Sequence, residues 1–209
     1  MKIVTACGLI ATFLLAAPLS AQATEFSKED LTSMSEAIFR TSIIVPNTSD
    51  FRDGFDILNT PFTEQQMVKY GVYLVYVFEE KYVKHVTEGA PIKIYADQEP
   101  LTFYAYVNIK AALKATEKYF GYKPSATEEN FGRMYGYTTT NGYIVLGESD
   151  AGAAPEIRAV SAERDGFGLV RVTCEQDDEE DENRKYRFKA VLKDHIVDGQ
   201  KAWQVLLIK

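Results

Sequence analysis

Residues 186–208 read YRFKAVLKDHIVDGQKAWQVLLI, two apolar-rich segments hinged on Asp198-Gly199. Asp-Gly tolerates the positive φ angles of a type I′ turn, whose twist matches that of paired antiparallel strands. Taken as a two-residue loop, it sets Asp194 against Trp203, Leu192 against Val205 and Ala190 against Leu207 by counting outward. One face then carries Tyr186, Phe188, Ala190, Leu192, Trp203, Val205 and Leu207, the better candidate for a core. The other carries Arg187, Lys189, Lys193 and Gln204, with Val191, Leu206 and Ile208 among them.

Two further Asx-Gly dipeptides lie upstream, Asp165-Gly166 and Asn141-Gly142. The first sets Ile157 against Cys174, Ala159 against Val172 and Ser161 against Val170, with Arg158, Arg171 and Thr173 pointing the other way. The second sets Tyr137 against Leu146 and Thr139 against Ile144, and leaves Gly136 opposite Gly147. Alternation with a period of two, one buried face and one wet face, is what an antiparallel sheet requires. The expected fold is α+β: an antiparallel β-meander of about six strands in three hairpins over 134–209, its covered face roofed by N-terminal helices.

The N-terminal half supplies those helices. Ser27 precedes Lys28 to about Thr41, with acids in the first turn and Leu31, Met34, Ile38 and Phe39 at helical spacing. Thr63-Glu64-Gln65-Gln66 has the form of a capping box. Beyond it Met67, Gly71, Leu74, Phe78 and Tyr82 recur at helical spacing, with valines on the other sides, so the helix is a central, buried one. The β-branched content of 63–85 also suits a strand, while its length favours a helix. Leu101 to Val107 reads as a strand, Asn108 as a cap, Ile109 to Phe120 as a helix, and Gly121 as its C-terminal stop. Ile92 to Tyr95 reads as a short strand.

At the other end, Met1-Lys2, an apolar run from Ile3 to about Leu19 and Ala21-Gln22-Ala23 are the parts of a secretory signal peptide over 1–23. The run is near the lower limit for spanning a ~30 Å bilayer. Cleavage after Ala23 leaves 24–209 as a single α+β domain, with no stable membrane anchor and an address that is periplasmic or extracellular. Cys174 is then the sole cysteine, which excludes an internal disulfide; its register points it into the core. The net charge of −7 argues against nucleic-acid binding, which needs a basic patch for phosphates.

Chemical motifs are scarce. His85 and His195 stand in no metal-binding spacing, and both read as surface residues. No Gly-rich phosphate loop and no Gly-x-Ser-x-Gly elbow occurs. The acidic run Glu175 to Glu182 lacks the turn glycine and spaced ligands of a calcium loop, and reads as a solvated connection neutralised at its base by Arg184, Lys185 and Arg187. No catalytic residue, metal site or cofactor is expected. Tyrosine is the compositional oddity, with 13 in the chain. Tyr104 and Tyr106 share one face of a strand, as do Tyr135 and Tyr137 of another, and a phenol suits a ligand pocket or a partner surface.

The order helix, long helix, strand, helix, meander resembles the NTF2-like α+β cone, helices over a curved sheet with a cavity between them. The resemblance is one of architecture and carries no site residue with it. The expected function is an exported, non-catalytic module that binds a small apolar ligand or a protein partner. The alternatives are an enzyme using a cavity carboxylate with tyrosine or histidine, and an exported structural component with an exposed strand edge.

Overall fold

The computed structural model describes residues 26–44, 55–59, 61–94, 99–147, 156–178 and 184–209. The signal peptide read over 1–23, residues 45–54, the end of the short strand at Tyr95 and residues 148–155 lie outside them. So does the acidic run beyond Asp178.

Helix α1 (Lys28–Ile44) begins at Ser27, whose hydroxyl accepts the Asp30 amide at 3.0 Å, while the Asp30 carboxylate accepts the Ser27 amide at 3.3 Å. Strand β1 is Phe55–Asp56. Helix α2 (Glu64–Phe78) opens on the expected capping box: Thr63 Oγ1 accepts the Gln66 amide at 3.2 Å, and Gln66 Oε1 accepts the Thr63 amide at 2.9 Å. It buries Val68, Tyr70, Gly71, Val72, Leu74 and Val75, so it is central, as its all-round apolar pattern requires. Helix and strand share the stretch to His85. After Phe78 comes a single 3₁₀ turn, and the β-branched Val83–Val86 forms strand β2. His85 therefore lies on a strand and not at a helix end.

Strand β3 (Tyr104–Asn108) runs directly into α3 (Ile109–Phe120) through Asn108, whose side chain accepts the Ala111 amide at 3.0 Å. Gly121 closes α3 in the left-handed conformation. Of the short strand expected at Ile92, one bridge between Ile92 and Leu101 is present. The segment expected to start the first hairpin instead forms a short helix, α4 (Phe131–Tyr135), ended by Gly136. Phe131 and Tyr135, four residues apart, both face the core. That hairpin is accordingly short: β4 (Thr139–Thr140) and β5 (Tyr143–Gly147) pair Thr139 with Ile144, as counted, but Tyr137 does not pair with Leu146, and Gly147 pairs with Tyr104.

The remaining strands are β6 (Ile157–Arg164), β7 (Val170–Asp177), β8 (Lys185–Val197) and β9 (Gln200–Ile208). Two antiparallel sheets result, β1-β9-β8-β7-β6 and β2-β3-β5-β4. The three hairpins are present but do not form one meander, because β5 pairs with β3 rather than β6. The likeness to an NTF2-like cone stops at the α+β class for the same reason.

The last hairpin keeps the counted register near its turn, Asp194 with Trp203 and Leu192 with Val205. A bulge at Leu206 then pairs Val191 with Leu207 and Ala190 with Ile208. Val205 and Leu206 are both buried in succession, and Ile208 takes the core place expected of Leu207. Phe188 is half-buried and Tyr186 is exposed, its hydroxyl on Asp178. The middle hairpin departs further. Asp165 Oδ1 accepts the Phe167 and Leu169 amides, both at 3.0 Å, so the loop is five residues and not two. Ala162 then faces Val172, and Ala159 faces Cys174 beyond a second bulge.

Helices α2 and α3 pack together, α2 on β3 and α3 on both β3 and β9. Where they cross, a Cβ on Gly71 would stand 2.8 Å from the Ala112 carbonyl oxygen and closer still to Thr116 Oγ1. Only glycine permits that approach. Helix α1 fills the hollow of the large sheet and touches β9 and β6, its second and fifth strands. Ser35 Oγ accepts the backbone amide of Ala159 on β6 at 2.7 Å, and Trp203 Nε1 donates to Ser33 Oγ at 2.9 Å. Buried residues of both sheets and all four helices form one continuous core. No described helix is long and apolar enough to cross a membrane.

Candidate functional site

A cleft of about 270 Å³ opens between the end of α2, the outer face of α3 and the β8–β9 turn. Its floor is made by Val75, Ala111, Ala115, Val197 and Ala202. Ala111 and Ala115 are one helical turn apart, and their short side chains leave the hollow that longer ones would fill. Lys114 and Lys118 flank them on α3, Lys81 enters from the 3₁₀ turn and Lys201 from β9. Tyr82 and Tyr119 add aromatic walls.

The inner wall is a braced ion cluster. Arg40 of α1 reaches Glu79 at 2.8 Å and Glu36 at 3.1 Å, and its guanidinium lies over Phe78 at 5.1 Å and Tyr119 at 5.9 Å. The Tyr119 hydroxyl donates to Glu36 at 3.3 Å. Burial raises the Tyr119 pKa above the usual phenol range, so this ring stays neutral. At the rim Lys114 pairs with Asp198 at 2.5 Å, Lys201 with Asp30 at 2.8 Å and Lys118 with Glu36 at 3.8 Å, and Lys81 Nζ sits 4.9 Å over the Tyr82 ring.

The tyrosines singled out from sequence fall in two places. Tyr104 and Tyr106 meet edge to face at 5.5 Å on the outer face of the small sheet, with Tyr143 at 6.3 Å from Tyr106 and Lys84 Nζ 4.5 Å over Tyr143. Tyr104 is buried there, since Gly89 closes over its hydroxyl, while Tyr106 and Tyr143 are half-buried. Tyr135 and Tyr137 do not share a strand face. Both pack on Phe131, at 5.0 and 5.7 Å, because 131–135 is helical.

Tyr135 belongs to a cluster with no sequence signature. Its hydroxyl and that of Tyr122 each donate to the Glu64 carboxylate at 2.5 Å. The bonds from Tyr122 and then Tyr135 hold the Glu64 pKa below the usual carboxylate range. Every side chain there is satisfied within the fold, which makes it a clamp between α2 and the 122–135 segment.

Other candidates resolve locally. His195 is half-buried and not a surface residue: its Nε2 donates to the Glu117 carbonyl at 2.9 Å in the last turn of α3, and its Nδ1 is buried without a partner. Cys174 is fully buried, and burial pushes its thiol up to about 12. Glu175 binds Arg187 at 2.7 Å and Lys185 at 3.9 Å, and Asp178 binds Arg184 at 3.7 Å, which neutralises the base of the acidic run. Among the described residues no group of three or more His, Cys, Asp or Glu is placed to hold a metal.

The cleft lysines were not singled out from the sequence. Lys114 and Lys118 flanking Ala111 and Ala115 is a legible helical pattern, but Lys81 and Lys201 join it only through tertiary packing. No protein family, no curated protein and no solved structure matches this chain.

Proposed function

We propose that this protein is an exported, non-catalytic binding module whose ligand is a small molecule with an apolar body, held in the cleft between α2, α3 and the β8–β9 turn. The cleft carries the reading: it joins an apolar floor to a polar rim, the arrangement small-ligand sites favour. Its size, just under the usual range for drug-sized ligands, suits a compact molecule. Bonds to neighbouring groups hold Asp30, Asp56, Glu64, Asp194 and Asp198 below the ordinary carboxylate range, so these five do not suit the role of general acid.

The test is a thermal-shift screen of small amphiphiles, repeated on Ala111→Leu, which fills the floor with a side chain that also suits a helix. Ligands should raise the melting temperature of the wild type and not of the variant. Equal shifts in both would place binding elsewhere and sink the reading. Export is tested by the N-terminus of the protein recovered outside the cytoplasm, which should be Thr24.

A second reading is a protein partner on the outer face of the small sheet. Tyr106, Tyr143 and Lys84 form a half-open aromatic surface there, and Phe103 beside it is 57 % exposed. Tyr106→Ala and Phe103→Ser would abolish capture of such a partner. Tyr135 and Tyr137 take no part in that surface.

A further inference from the structure

We infer that the ligand of the cleft is an amphipathic organic anion, with one charged head on the lysine rim and its apolar body on the alanine and valine floor. This rests on the binding-module reading above. Four lysines line the cleft against a single carboxylate, Glu79, and Glu79 is already held by Arg40 at 2.8 Å. With Arg40, Glu36, Asp198 and Asp30 included, five cations face four carboxylates, a small local positive excess on a chain of net charge −7. A concave, low-dielectric wall concentrates such a field on whatever enters.

The acids that pair with the rim lysines do not cancel it. Asp198 and Glu36 pair with Lys114 and Lys118 through side chains 68 and 45 % exposed, while Asp30, on Lys201, is 26 % exposed. The two more exposed pairs are weak in water, so a ligand head can replace them at small cost. Lysine ammoniums act as point charges and not as planar forks, so they accept a carboxylate or a phosphate monoester alike. A neutral ligand would use the floor alone and leave the rim unused.

The experiment is calorimetric titration of the wild-type protein with decanoate, decyl phosphate and decanol, each below its aggregation concentration, at low and high salt. The expected result is that an anion binds on the order of tenfold more tightly than decanol, a preference that shrinks as salt screens it. Decanoate against decyl phosphate identifies the head group. The double variant Lys114→Ala, Lys118→Ala removes two exposed side chains and should erase the preference while decanol binding persists. Decanol binding as tightly as both anions, or a double variant that keeps the preference, overturns the anion inference and leaves the binding module standing. If none of the three binds, both readings fall together.

Discussion

Glu64 is the first residue of α2, and its carboxylate takes two phenol hydroxyls from a segment some sixty residues on. The helix N-terminus favours a negative charge at this position, and the two bonds favour it further. Glu64→Gln keeps the shape and removes the charge, and should lower stability by about 1 kcal/mol at neutral pH, measured as a urea midpoint. The sign with pH follows from the lowered pKa. The carboxylate's contribution is complete above the unfolded-state value and is lost as pH falls through the folded one. The gap between wild type and variant should therefore close in acid. A gap that stays constant would mean the charge plays no part. Nothing local announces this clamp: the capping box explains Thr63 and Gln66, while Tyr122 and Tyr135 come near Glu64 only once α3 and α4 have packed.

At the scale of elements, the turn dipeptides teach more through their difference than their likeness. Asp198 and Gly199 both have positive φ, 50° and 76°, as do Asn141 and Gly142, at 46° and 79°. Gly166 does not, since Asp165 organises a longer loop around its own carboxylate and Gly168 takes the positive angle instead. Nothing lies within 4 Å of a Cβ built on Gly199 or Gly166, so backbone conformation alone decides. Gly199→Ala should cost about 1 kcal/mol. Gly166→Ala should change the unfolding free energy, read from urea titration, by less than about 0.5 kcal/mol. Equal losses at the two sites would contradict the loop assignment. Caps at Ser27, Thr63, Asn108 and Gly121 and the turns at Asn141-Gly142 and Asp198-Gly199 were legible because each is written in neighbouring residues. Helix α4 and the five-residue loop at Asp165 were missed, and so were the pairing of β5 with β3, the extra residue at Leu206 and the strand in Val83–Val86. The last three are decided by partners far away in sequence, the Asp165 loop by its own carboxylate. The cleft was half legible for the same reason, its α3 face as a pattern and the rest only as a contact.

For the whole molecule, the single core running through both sheets implies that they unfold together. Cys174 reports on this directly. It is on β7, inside the large sheet, with no solvent contact and a thiol pushed up to about 12. A thiol reagent should modify it only as fast as the protein opens globally, so peptide-mapped labelling should follow the urea transition seen by tryptophan fluorescence. Rapid labelling of protein that is still folded would mean that the large sheet opens independently. Ser35 adds a consequence at this scale. Its hydroxyl occupies the amide of Ala159, on the outermost strand of the large sheet, where a second copy's carbonyl would otherwise dock. The first helix thus also covers one position of that margin, where another strand could otherwise pair.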